Sequence, residues 1–311
     1  MTSTQLGIGL PSMIPGIDPD LIPRWAERAE AGPFSCLATG ELLTSDAYDP
    51  LVALTTAAAV TQRVRLLANV VVLPLHPAGV VAKQAVSLDN LSGGRLLLGL
   101  GVGARKPVLK TPSSTPLSDE DLPDFLAAPA RAEGRYARFE EQIAYMQRIW
   151  SGAAVTDTGL RIGPEPLTPG GPELIVGGYA PRFLERATAW AGGLSTFGLV
   201  PDVERMAQDF AVLRQAWQRA GRNTPPRLIA THFYALGPSA EQGARDYIER
   251  HYRHLGPEGH RQFAAAISTT SEAGIRRVFD ALSAAGATDI IPIPMIPSLD
   301  QIDRLADLLA D

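Results

Sequence analysis

The chain has one cysteine, Cys36, among 311 residues. That excludes a disulfide framework and any multi-cysteine metal site. No apolar run approaches the roughly 18 residues that span a bilayer, and no segment of secretory type opens the chain. The expectation is a cytoplasmic protein with no membrane partner. Basic residues are not in excess either: 28 Lys+Arg against 33 Asp+Glu leave a net charge of −5 and a pI near 5.6. Neutralising phosphates takes a basic face, so this balance argues against nucleic acid as a partner.

What is present suffices for a full core. Apolar residues make up 45% and charged residues 20%, close to an ordinary soluble globular protein. The most informative stretch is 64–103, VRLLANVVVLPLHPAGVVAKQAVSLDNLSGGRLLLGLGVG. Val64 to Leu73 is an apolar, β-branched run of the kind buried on both faces of a parallel sheet. Val80, Ala82, Ala85, Leu88 and Leu91 recur at helical spacing, and Gly93-Gly94 ends that segment. Arg95 to Leu100 is a second buried strand, and Gly101 and Gly103 leave its end free of side-chain bulk for a ligand to approach.

This strand–helix alternation continues along the chain. Eight strands, each followed by a helix, predict an α/β fold, a (β/α)8 TIM barrel in one domain over 1–311. Helices are expected over 131–150, over 182–191 and from about 240 to 255, and Thr269 with Glu272 forms a capping-box pattern opening another. Two Gly/Pro-rich inserts, 104–129 and 152–171, interrupt the alternation, and both are candidate lids or substrate walls at the C-terminal face.

A barrel builds its site from the C-terminal ends of its strands. Those ends offer glycine, amide, aromatic and aliphatic groups, with no carboxylate pair, no nucleophile triad and no set of metal ligands. Such a surface suits a flat, partly apolar ligand that supplies its own reactivity. Glu41, after Thr39-Gly40, is the one carboxylate clearly at a strand mouth and is the candidate catalytic residue. Gly177-Gly178 before a helix reads either as a phosphate-binding turn or as a turn needing glycine for close packing. Asn69, amid apolar neighbours, either satisfies backbone groups or bonds a ligand, and on that ground alone the structural role is favoured. Arg105 is placed to pair with a phosphate or with acids of the first insert. His232 reads as a core or rim residue, and His251, His254 and His260 read as solvated.

Four segments carry a resemblance: YDPLVALTTAAAVTQRVRLLANVVV, LHPAGVVAKQAVSLDNLSGGRLLLGLGVG, RFEEQIAYMQRIW and PELIVGGYAPRFLERATAWAGG, together spanning 48–193 in order. The chain resembles the luciferase-like monooxygenase family, the flavin-dependent barrels that include bacterial luciferase and coenzyme F420-dependent reductases. The resemblance implies a barrel binding reduced FMN, or alternatively coenzyme F420, in its mouth. It implies a bulge, often with a non-proline cis peptide, at Asn69, Val70 and Val71 behind the ring, and phosphate contacts at Gly177, Gly178 and Tyr179, near Gly101, Gly103 and Arg105. Many members carry a histidine after strand two in a pattern such as Ser-Asp-His. This chain has Thr39-Gly40-Glu41 there, so no catalytic histidine carries over, and His76 gains little from the resemblance.

The implied activity is a monooxygenase acting on a small organic substrate with dioxygen and reduced FMN from a separate flavin reductase, in a homodimer. An F420-dependent reductase or dehydrogenase is the alternative, and a flavin-binding protein without turnover is a third reading. A phosphate-dependent barrel lyase is remote, since no lysine or carboxylate pair is placed for it.

Overall fold

The computed structural model describes residues 4–43, 46–103, 134–178, 180–198, 200–252 and 256–309. Among them nine strands run in chain order as β1 (Gln5–Leu6), β2 (Ile8–Gly9), β3 (Cys36–Thr39), β4 (Arg65–Val72), β5 (Leu96–Gly101), β6 (Glu173–Gly177), β7 (Gly193–Gly198), β8 (Arg227–Tyr234) and β9 (Asp289–Pro294). Every pairing is parallel, in the order β1-β9-β8-β7-β6-β5-β4-β3-β2. The ends of that order, β1 and β2, are two halves of one strand position separated by Gly7. The first half pairs with β9 and the second with β3, so the chain itself closes the ring. Gly7 is required there: a Cβ would stand 2.9 Å from Ile291 Cγ1 and 3.1 Å from the Cys36 carbonyl. The expected α/β barrel is the observed fold.

The helices are α1 (Leu21–Ala31), α2 (Pro50–Ala59), α3 (Ala78–Leu91), α4 (Arg135–Trp150), α5 (Pro181–Ala187), α6 (Val203–Arg219), α7 (Ala240–His251), α8 (Gly256–Ala266), α9 (Glu272–Ala284) and α10 (Asp300–Leu309). Side chains alternate across each strand and so divide the apolar residues into layers. Cys36, Leu67, Leu97, Ile175, Ile229 and Ile291 fill the barrel interior. Leu66, Ala68, Leu96, Leu98 and their equivalents face the helices in the larger outer layer. A third cluster, built on Phe233, Tyr247, Ile248, Phe263 and Met295, draws α7 and α8 over one side of the barrel.

The N-terminal end of the barrel is held by charge. Arg227, at the start of β8, donates to both oxygens of Asp289 at 3.0 Å and reaches Glu173 at 3.4 Å; Arg65 reaches Glu173 at 3.3 Å. Four strand starts are tied together in this way, and the Asp289 side chain is only 7% exposed.

Local differences from the sequence reading have identifiable causes. Helical sequence from 240 ends at His251, and a separate helix, α8, starts at Gly256, where φ is +65°. Thr269 is not a helix cap: its hydroxyl donates to the Phe233 carbonyl at 2.6 Å, and Ser271 accepts from Gly274 N instead. The helix expected over 182–191 closes at Ala187. The insert 152–171 enters from the end of α4 and leads into the start of β6, so it is not a loop of the C-terminal face. It is strapped to the flank of α3, where Asp89 accepts from Thr168 N and Oγ1, Asn90 from Leu167 N, and Lys83 Nζ donates to the Gly163 carbonyl. The insert 104–129 lies outside the described residues.

Candidate active site

The bulge expected on β4 is present. Between Ala68 and Val71 the register against β5 slips, and the peptide joining Asn69 to Val70 is cis. The slip turns the Val70 side chain toward the ends of the neighbouring strands. A Cβ on Gly101 would lie 2.8 Å from Val70 Cγ2, one on Gly177 2.7 Å from Val70 Cγ1, and one on Gly99 3.0 Å from the same methyl. Gly101 and Gly177 therefore make room for this valine, while a Cβ on Gly99 would first meet the Ala68 carbonyl oxygen. This corrects the expectation that Gly101 keeps space open for a ligand: Val70 occupies that space. Gly40 is needed for a related reason, since a Cβ there would stand 2.6 Å from the Asn69 carbonyl oxygen.

The glycine turn at 177–178 resolves toward packing as well. Gly178 lies against Phe183, whose ring carbons would be 3.1 Å from an added Cβ. The helix that follows has only seven residues, begins at Pro181, and has no side-chain cap. A helix this short adds little field at its N-terminus. Gly103 has φ +78° and turns the chain just beyond β5. Arg105 and Tyr179 lie outside the described residues.

Asn69 is half-buried, and among the described residues its side chain makes one hydrogen bond, a long one, Nδ2 to Thr231 Oγ1 at 3.5 Å. Thr231 in turn donates to the Thr196 carbonyl. An amide so weakly engaged retains both donor and acceptor capacity for a ring ligand. Hydroxyls also stand on the barrel: Ser12 and Thr39 share a buried 2.6 Å bond, and Ser195 Oγ is buried with no partner among the described residues. Amide, hydroxyl and apolar groups are the donor set that a flavin or deazaflavin ring needs, so the residues present fit such a group.

Glu41 is the expected carboxylate at the end of β3, and the structure gives it two fixed partners. Its Oε2 accepts from Val72 N at 2.6 Å, and its Oε1 is 2.6 Å from His76 Nε2. The carboxylate bridges the ends of two adjacent strands, with its side chain only 3% exposed. A carboxylate only accepts, so Nε2–H of His76 is the donor. The hydrogen bond from Glu41 raises the His76 pKa above its usual value, and burial opposes it. The His76 loop is held from α4, where Gln142 Nε2 donates to the His76 carbonyl at 3.0 Å. His76 therefore stands at the site after all, through a contact its sequence neighbours do not signal.

His76 also borders a cleft of about 1080 Å³ between the start of α3, one face of α4 and residues 161–163. None of Asn69, Val70, Val71, Gly101, Gly103, Gly177 and Gly178 lines it. The remaining histidines separate cleanly. His232 is fully buried, and burial lowers its pKa to about 4. His251, expected in solvent, is buried and stacked on Tyr247 with centroids 5.0 Å apart. His260 Nε2 lies 2.8 Å from the Tyr252 carbonyl, and His254 lies outside the described residues. No group of three His, Cys, Asp or Glu that could hold a metal occurs among the described residues, and no described helix is long and apolar enough to cross a membrane.

Monooxygenase RslO1 from Streptomyces bottropensis superposes with a TM-score of 0.74 over 99% of this chain and 98% of that one, at 22% identity. Pyrimidine monooxygenase RutA from Escherichia coli is 26% identical over 204 residues, 63% of this chain and 56% of RutA. The F420-dependent glucose-6-phosphate dehydrogenase of Beutenbergia cavernae is 38% identical over 105 residues, 33% of this chain and 27% of the dehydrogenase. The alignments cover at most 60% of the length of these curated relatives and of a 28% identical uncharacterised protein from Mycobacterium tuberculosis. Residues 2–296 match the model of the luciferase-like monooxygenases, and the chain belongs to that family of oxidoreductases.

Proposed function

We propose that the protein is a monooxygenase that binds reduced FMN at the barrel mouth and acts with dioxygen on a small organic substrate. The observation that carries this reading is the β4 bulge, which sets the half-buried, weakly bonded Asn69 amide at the mouth beside Val70. Reduced FMN, when bound, supplies the electrons for oxygen activation. The chain's own groups would bind and orient it: Asn69 would hydrogen-bond the ring and Val70 would back it, while Val71, 3% exposed in the outer layer, would hold the bulge from behind, and Gly101, Gly177 and Gly178 would serve by leaving room for Val70 and Phe183. The apolar interior and the aromatic side of the mouth exclude water, which strengthens each polar contact made there. A separate flavin reductase and a homodimeric state belong to the same proposal.

A second reading, hydride transfer with coenzyme F420, is favoured by the likeness to the Beutenbergia dehydrogenase. Thermal melts separate the two. A ligand that binds only the folded state raises the melting temperature with the logarithm of its concentration relative to its Kd. Anaerobic titration with reduced FMN is expected to raise the melt more than reduced F420 at equal concentration, and the reverse order selects the F420 reading. No shift with either ends both. A shift with no dioxygen consumption across a broad substrate panel selects a flavin-binding protein without turnover.

A further inference from the structure

We propose that His76 is the residue that exchanges a proton with the substrate and that Glu41 acts through it, as a positioning residue. The inference deepens the proposed function and rests on it for the identity of the cofactor. Glu41 is the natural first candidate for an acid or base, yet its geometry argues against direct contact. Both carboxylate oxygens are committed, one to Val72 N and one to His76, and the side chain is almost wholly enclosed. His76 differs: its side chain is 26% exposed and it borders the cleft. With Nε2–H donating to Glu41, Nδ1 is the nitrogen left for a ligand.

The arrangement is built from three directions. Glu41 fixes the ring from the end of β3, Gln142 fixes the loop from α4, and the His76 amide donates to Leu73 within the turn that follows β4. A carboxylate bonded to one imidazole nitrogen selects the tautomer and stabilises the cation that forms when the other nitrogen is protonated. In the proton step, the Nδ1–H bond breaks and an O–H bond forms on a reacting oxygen, of dioxygen or of the organic substrate, that is gaining negative charge. The imidazole is left neutral, with Nε2–H still on Glu41, and Glu41 stays a carboxylate throughout. The reverse transfer regenerates the acid.

Other charges set the working range. Asp49, at the start of α2, acts on His76 in the same direction as Glu41. Across the cleft are Lys83 from α3, Arg138, Glu141 and Tyr145 from α4, and Arg161. Three cations and one carboxylate make this wall attractive to an anionic or electron-rich oxygen.

The test begins without cofactor. Imidazole NMR titration of the apoprotein, with the His76 signal assigned by its loss in His76→Asn, is expected to show His76 titrating above 6.5. In Glu41→Gln the signal should move down while the protein remains folded by melt, and Glu41→Asp should restore part of the shift. A His76 signal that ignores Glu41→Gln overturns the pairing. The second arm follows reoxidation of bound reduced FMN by dioxygen against pH. Wild type should show an inflection at the NMR-determined His76 value. His76→Asn should lose that inflection and slow the proton-dependent phase by about 100-fold, the low end for general acid–base catalysis, with FMN affinity unchanged. An unaltered profile in His76→Asn overturns the proposal. Failure of FMN to bind at all would instead overturn the flavin reading, and the same profile would then be read with reduced F420 as hydride donor.

Discussion

At the scale of single residues, the site is organised by close contacts more than by reactive groups. Val70 lies where Gly101 and Gly177 have no side chains, and the adjacent Gly99 yields to the Ala68 carbonyl, so each of these glycines has a steric cause that can be named. Gly177→Ala should push against Val70 and destabilise the protein by about 1–3 kcal/mol, the usual cost of overpacking. Val70→Ala in the same chain should recover much of that loss, because the two positions share one space. Chemical denaturation of the two single variants and the double variant measures the coupling; strictly additive effects would contradict the contact. Cys36 behaves in keeping with its place inside the barrel: burial pushes its thiol up to about 12, so it is a core residue and no nucleophile. The glycines were visible in the sequence, but their cause was not. A glycine after a strand is compatible with a ligand, a turn or a neighbour's methyl group, and only the register of the adjacent strand distinguishes them.

Among elements, the two ends of the barrel have different work. The N-terminal end is closed by Arg65, Glu173, Arg227 and Asp289, one from each of four strand starts. Removing one partner of such a set leaves a poorly hydrated charge behind. Arg227→Met should therefore cost about 3 kcal/mol in urea unfolding and leave reduced-cofactor binding at the other end unchanged; a loss of binding without loss of stability would show the two ends are not separate. The helix and strand positions were legible from periodicity, because an amphipathic helix and a two-face-buried strand each have a repeat a local window detects. The insert 152–171 was not. Its Gly/Pro composition announced a loop, but its anchoring to Asp89 and Asn90 depends on α3 lying alongside.

For the whole molecule, the buried and half-buried histidines oppose each other in their effect on stability. His232 is held neutral, with a folded pKa near 4. Between pH 6.5 and 4 the unfolded chain takes up the proton and the folded chain does not, so stability falls as pH falls through that window. The full effect is about 3 kcal/mol by pH 4. His76 has the opposite sign: its raised value contributes stability that is present at low pH and is lost as pH rises above 6.5 through its folded value. Urea unfolding of wild type and His232→Leu across pH 4–7 isolates the first effect. The wild type should lose more stability on acidification than the variant; parallel curves would assign the acid sensitivity elsewhere.

The sequence by itself determined the alternation of strands and helices that makes the barrel and the carboxylate at its mouth, while the bulge at Asn69–Val71 was implied by the family resemblance of the surrounding segments. Each of these depends on local periodicity, on turn chemistry or on motifs continuous in the chain. Tertiary structure alone decided that Glu41 is bonded to His76, 35 residues away, and that Val70 fills the glycine cradle of β5 and β6. It also decided that His251 is buried and that Thr269 bonds a strand carbonyl. The physical reason is common to all four: whether two side chains meet depends on strand register, helix placement and the path of a turn, and none of these is carried by the residues on either side of the contact.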